Sequence, residues 1–328
     1  KEFIMGIQIG AALFAVYVFW GATFLAMRVA VESFPPMVMV AFRFISVGVI
    51  MLLWVGLKEG KWRIEKDQWK GLFLTGTGLF FLGNGVYAYA LRYIPSSVAT
   101  LIGATGAIWM VLLDWRFRGM KPGKVLVGGL VIAMIGIVFL TGKPETGGLD
   151  PFWLVVCLMA SFFWTASSYG MRLFSMPDSA WLTVGWQNLL GGLVCALWGV
   201  VQGEWSTFTL DQVSSRSWLG MFYLVFIGSM IGFSSYRWLV VRVSPVIAAT
   251  TSLVNPVVAM FFGWLLLDEP FTTQIALAFV LVLTGVIAIT FGRNREVSPL
   301  VRDEIGAETE NLEKMINEVN DCGDYRTK

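Results

Sequence analysis

Apolar residues run along this chain in long blocks, without the alternation of a half-buried strand or the narrow stripe of a soluble amphipathic helix. A helix needs roughly 20 such residues to cross about 30 Å of hydrocarbon. Ten blocks of about that length follow one another, over residues 7–27, 37–57, 69–90, 95–115, 124–141, 152–174, 180–201, 217–238, 245–267 and 272–292. The short connections carry the breakers Pro35-Pro36, Pro95, Pro122, Pro144 with Gly147-Gly148, Pro177, Pro245 and Pro270. None is long enough to hold a soluble domain, so the pattern predicts an all-α membrane protein with ten transmembrane helices.

Charge sharpens this picture. The 328 residues include 24 Lys and Arg and 22 Asp and Glu, and 15 of these 46 fall in the last 36 residues, leaving 31 for the preceding 292. A soluble core of that size could not wet its surface with so few, and soluble, disordered, collagenous and disulfide-stapled classes are excluded. The basic residues lie between apolar blocks rather than along one face, so no nucleic-acid partner is expected. Cys157 and Cys195 lie inside apolar blocks and read as small buried hydrophobes, while Cys322 stands alone in a polar tail. With no histidine in the chain, imidazole catalysis and His-ligated metals cannot operate, and no cofactor is expected. The first apolar block exceeds the core of a signal peptide and more follow it, so cleavage there is not expected.

The connections are asymmetric in Lys and Arg. One side collects Lys1, the cluster from Lys58 to Lys70, Arg116, Arg118, Lys121, Lys124, Arg172, Arg237, Arg242, Arg293, Arg295 and Arg302; the other holds only Arg28, Arg92, Lys143 and Arg216. The positive-inside rule then puts both termini in the cytoplasm, as an even number of spans requires.

The two halves repeat one another. FWGATFLAMR at 19–28 aligns with FWTASSYGMR at 163–172, and RYIPSSVAT at 92–100 with RVSPVIAAT at 242–250. Matches in the same order at nearly equal offset indicate a duplicated five-span unit. Because five is odd, the second copy enters from the opposite side, giving an inverted repeat with a substrate site expected near mid-depth between the halves. The organisation expected is a first five-helix repeat at 1–146, a second at 147–292 and a charged cytoplasmic tail at 293–328.

The FWGATF of the first span, AFRF at 41–44, NPVVAMFFGWLLLDEP at 255–270 and a last span ending in TGVIAIT resemble the EamA branch of the drug/metabolite transporter superfamily. The resemblance covers about residues 7–292. It implies a ten-helix exporter of small metabolites, amino acids or drugs in the bacterial inner membrane. Where the second half has Asn255, Pro256 and Glu269, the first has Thr105, Gly106 and Gly119, so the first copy's central helix lacks the proline of its twin.

Polar residues inside the spans are costly unless they face protein, water or a ligand. Arg43, about two turns inside the second span with no span-interior acid to pair with, suits a carboxylate or other anionic group; snorkelling to the outer interface and capping of neighbouring carbonyls are the alternatives. Asn84, Gln187, Asn188 and Asn255 both donate and accept, and suit a polar ligand or interhelical hydrogen bonds. Asn255 precedes Pro256, which frees a carbonyl and makes a hinge. Among the aromatics, Trp20 and its repeat mate Trp164 lie near span centres, away from the interfacial belts; with Tyr87, Trp109 and Tyr236 they are candidate cavity lining, with cation–π contact available to a cationic solute. Trp186 and Trp238 sit at belt depth.

Glu32, Asp114, Asp268 and Glu269 lie near span ends, and Asp114 has Arg116 and Arg118 as neighbours. Either an end-of-span carboxylate carries protons or transport is uncoupled. The tail reads equally as a short amphipathic helix or a disordered end. The function expected is secondary export of a small organic solute, an amino acid or related metabolite, by alternating access. Multidrug efflux is a rival, and an intramembrane enzyme a remote one, since no GxSxG, HExxH or paired aspartates occur. The partners are the solute, membrane lipid and, if coupled, protons; a monomer is assumed.

Overall fold

The computed structural model describes residues 2–60, 63–140, 149–240 and 250–290, with positions 243, 247 and 292. The expectations for Pro144 with Gly147-Gly148, for the start of the ninth span at Pro245 and for the tail lie outside these. The described residues form helices throughout, apart from short turns and one isolated bridge residue at Leu149. Seven are long and apolar enough to cross a membrane: α1 (Ile7–Ala30), α2 (Pro36–Lys58), α4 (Ser96–Arg118), α6 (Pro151–Gly170), α7 (Ala180–Val201), α8 (Ser215–Tyr236) and α10 (Thr273–Thr290). Two shorter apolar helices are α5 (Lys124–Phe139) and α9 (Thr251–Leu267). Residues 68–90 are also continuously helical and form α3, which is less apolar because Gly, Thr, Asn84, Tyr87 and Tyr89 take up much of it.

Helix ends follow local chemistry. Pro36 opens α2, where a missing N–H costs nothing, and Gly60 closes it at φ 63°. The side chains of Ser179 and Ser214 cap α7 and α8 by accepting from Leu182 N and Ser217 N. The sixth helix stops at Gly170 rather than continuing to 174, because the turn after it folds Phe174 against Gly71 of α3.

Three stretches are wound as π-helix: Val16–Trp20 in α1, Thr77–Gly85 in α3 and Tyr223–Ile231 in α8. Such winding is rare, and it frees carbonyls for other donors. Asn84 donates to the Leu79 carbonyl at 3.2 Å, and Trp20 of α1 to that of Gly228 in α8 at 3.0 Å. Helix α4 is interrupted at Ala104–Thr105, where the Thr105 hydroxyl takes the Ile102 carbonyl at 2.6 Å. The aligned Pro256 lies inside a helix that runs on unbroken through it. Helix α4 is therefore broken at a threonine between glycines, whereas α9 carries its proline inside unbroken helix.

Helices α2 and α4 are innermost, with 61% of their most apolar stretch buried against 33–41% for the other five. Glycines set how closely the layers approach. A methyl on Gly48 would lie 2.6 Å from Leu189 N, and one on Gly192 would lie 2.8 Å from Ile45 N, so α2 and α7 run antiparallel in backbone contact. Gly136 meets Val282 and Gly285 meets Ala133, which seats α5 on α10 in the same manner.

The connection after α7 packs over the start of α2. It carries the short helix Glu204–Thr207, and its Trp205 and Phe208 pack on Phe34 and Phe42 with ring centroids 5.7–5.8 Å apart.

Candidate functional site: a polar seam around the first helix

Trp20, in the π-wound turn of α1, lies against the π-wound segment of α8. Besides donating to the Gly228 carbonyl, its ring sits 4.8 Å from that of Tyr236, and Gly232 leaves room for the indole, since a methyl there would fall 2.6 Å from it. The neighbouring Phe19 carbonyl accepts from Tyr223 at 3.1 Å, and the hydroxyls of Tyr17 and Thr250 meet at 2.6 Å. Large rings on α1 and small residues on α8 thus bring the two π segments face to face.

Arg43 reaches the same segment from α2. Its Nε and Nη2 both donate to the Ser229 hydroxyl at 3.3 Å, and the guanidinium stands 4.8 Å from the Phe44 ring centroid. Its Nη1 is buried with no hydrogen-bond partner, and no carboxylate among the described residues lies within ion-pair distance of it. The residue is 6% exposed, so it does not snorkel outward, and its partner is a hydroxyl rather than a carbonyl. A full charge is held in the protein interior with one N–H group unused.

Two other candidates join this seam. Tyr87 is buried edge-on to Phe24 of α1 at 4.9 Å, with its hydroxyl beside Gly103 and facing Ser161. Asn255 lies against Gly21 of α1, and its Oδ1 is buried and unpartnered. Trp20 with Tyr236, Tyr87 and Asn255 therefore lie along residues 20–24 of α1, and Arg43 meets α8 at Ser229, next to the Gly228 carbonyl that Trp20 holds.

The remaining candidates lie elsewhere. Asn84 and Asn188 donate to carbonyls of their own helices, Leu79 and Val184, and Gln187 donates to the Thr75 hydroxyl at 2.7 Å. Trp109 packs on Phe162 at 5.3 Å with its indole N–H buried and unpartnered. Trp164 is 43% exposed beside Gly83 and Phe80, at the α3–α6 edge. Trp186 pairs with Trp69 at 4.9 Å. Asp114 lies 3.9 Å from Arg118. A slot of about 440 Å³ between α1, α8 and α9 has apolar walls that include Phe19, Leu25, Tyr223 and Phe262.

The sequence reading missed Ser229, Glu204 and the engagement of Glu269. Glu204 accepts from the Met37 and Val38 amides at 2.8 and 3.2 Å and from the Tyr89 hydroxyl. Glu269 accepts from the amides of Ser96 and Ser97 at 2.7 and 3.2 Å and from the Ser97 hydroxyl at 2.9 Å, with Arg28 3.7 Å away. The available signal was that α2 and α4 follow Pro35 and Pro95, with no Ser, Thr, Asn or Asp at the cap. Their first amides therefore need an acceptor from another part of the chain. Among the described residues no three His, Cys, Asp or Glu side chains gather as metal ligands.

Comparison with known proteins places this geometry in a family. Residues 8–142 and 151–291 each match the EamA-like transporter family. An inner membrane transporter of Escherichia coli, YedA, whose role is uncharacterized, is 30% identical over 89% of this chain and 95% of its own length. A probable amino-acid metabolite efflux pump of the same organism is 23% identical over 86% and 95% respectively. A solved crystal structure superposes with a TM-score of 0.59 at 19% identity, covering 88% of this chain and 98% of that one, which marks a shared fold.

Proposed function

Since this chain belongs to the EamA-like transporter family, a multi-pass inner-membrane transporter of the drug/metabolite superfamily and not an enzyme, we propose that it exports a small organic solute, an amino acid or related metabolite, by alternating access. In this reading ten helices cross the membrane as two five-helix units, 1–146 and 147–292, threaded in opposite senses with both termini in the cytoplasm.

The observation that carries it is the reciprocal contact of α2 with α7. At the offset of 144 that relates the two sequence halves, Gly48 corresponds to Gly192 and Ile45 to Leu189. Gly48 packs on Leu189 and Gly192 on Ile45. Such an exchange of roles is what a two-fold axis between the units produces. The nine-residue π segments of α3 and α8, 146 residues apart at both ends, support the same relation. The α8 segment lies at the polar seam against α1, which gives that unit a wound, deformable backbone beside a solute site, as alternating access requires.

Counterflow in proteoliposomes with radiolabelled neutral amino acids tests the export reading. Exchange above protein-free vesicles is expected, and its absence across a panel of amino acids and related metabolites would refute it. Tags at the two termini accessible from opposite faces of the membrane would refute the threading.

A further inference from the structure

Resting on that export reading, we propose that the solute is an organic anion, a carboxylate without a compensating amino group, held by Arg43, and that the inside-negative membrane potential drives it out with no proton exchanged.

The case begins with the charges. Arg43 is a buried cation whose described partners are the Ser229 hydroxyl and the Phe44 ring, with Nη1 unpartnered. An unpaired guanidinium in low dielectric is expensive, and an entering carboxylate removes that cost through a charge-assisted hydrogen bond. Arg and Ser229 together offer a fork and a hydroxyl, matching two carboxylate oxygens. The Phe44 ring beside the guanidinium, and the paired Trp20 and Tyr236 rings next to the α8 segment that holds Ser229, suit an apolar body behind the carboxylate rather than a small inorganic ion.

The acids that could oppose this are engaged at helix ends. Glu204 caps α2, Glu269 caps α4 beside Arg28, Glu32 lies 3.8 Å from Arg216, and Asp114 lies 3.9 Å from Arg118. Among the described residues no carboxylate stands by Arg43 to receive the ammonium of a zwitterion or to carry a proton through the seam, and the chain has no histidine. With one site cation and one solute anion, each export cycle moves one negative charge outward. A potential of 100 mV then sustains about a 50-fold outward concentration ratio.

The test uses purified full-length protein in proteoliposomes, with the potential clamped by valinomycin and potassium sulfate and the pH equal on both sides. Phenylpyruvate, phenylalanine and phenethylamine share one ring and differ in net charge, respectively negative, zero and positive. Phenylpyruvate is expected to be carried best, with its steady-state ratio changing about 50-fold per 100 mV. Arg43→Gln should lower its preference over phenylalanine at least about ten-fold, while Arg43→Lys keeps the sign of that preference. If the Gln variant fails to fold, Ser229→Ala still reads the site through a lowered preference for phenylpyruvate over phenylalanine, an unchanged preference overturning the role of Arg43, while the potential dependence of the wild type reads the charge of the solute. Preference for phenylalanine or phenethylamine, or a ratio that ignores the potential and follows an imposed pH gradient, overturns the proposal. Counterflow of neutral amino acids with no carriage of phenylpyruvate overturns it while leaving export standing; no counterflow of any solute overturns both.

Discussion

The Glu269 carboxylate accepts the Ser96 amide at 2.7 Å, so a residue after the ninth helix caps the start of the fourth. Three further features hold it there. Ser97 donates through both its amide and its hydroxyl, Asp268 adopts φ 50° to turn the chain back, and Gly263 leaves the space the carboxylate fills. Glu269→Ala removes the cap and leaves Arg28 without its acid. It should cost roughly 2 kcal/mol, the upper range for lost caps, read as a fall in thermal unfolding temperature in detergent. Gly263→Ala puts a methyl 2.5 Å from the carboxylate and should produce a similar loss. In the Glu269→Ala background it should add little, because both act on one contact. Full additivity would show that the two act separately.

Glu204 does the same for the second helix and adds the Tyr89 hydroxyl. Glu204→Gln keeps an acceptor but loses its charge, so it should cost less than Glu204→Ala, with Tyr89→Phe costing about 1 kcal/mol. If Glu204→Gln and Glu204→Ala were equally damaging in the same thermal assay, the charge rather than the hydrogen bonds would be the stabilising element.

The glycines between α2 and α7 make a prediction that depends on backbone rather than side chain. Gly48→Ala and Gly192→Ala should each destabilise by about 1–3 kcal/mol through overpacking, and by similar amounts if the reciprocal contact is genuine. Shortening the facing side chain, by Leu189→Ala or Ile45→Ala, should not rescue them, since the nearest atom is a main-chain nitrogen in each case. Rescue in the thermal-unfolding series would mean that the helices touch through side chains instead.

Most of the helix positions were legible from hydropathy, because a lipid environment demands about the same length of apolar chain every time. Arg43 was legible as an isolated charge, and so was the conjunction of Asn255 with Pro256. The π winding was not, because it depends on which side chains reach freed carbonyls across helices, as Trp20 does at Gly228. Nor were the caps of α2 and α4, whose acceptors come from 167 and 173 residues away. Trp164 shows how far symmetry carries: its mate Trp20 lies in the seam against Tyr236, while Trp164 stands 43% exposed beside Gly83.

The break in α4 gives the last prediction. Thr105 is fully buried, gives its hydroxyl to the Ile102 carbonyl and lies 3.3 Å from the Ser161 hydroxyl of α6. Thr105→Val keeps the shape but removes the hydroxyl bond to that carbonyl, which still accepts the Thr105 amide at 3.0 Å, at a cost of about 1 kcal/mol. It also removes the hydroxyl that competes with regular helix. Thr105→Ser should retain the bond and near-native behaviour. If the break is a joint for alternating access, Val should slow counterflow by more than its modest stability loss explains, with Ser close to wild type. Equal counterflow in Val and wild type would reduce the break to a packing feature.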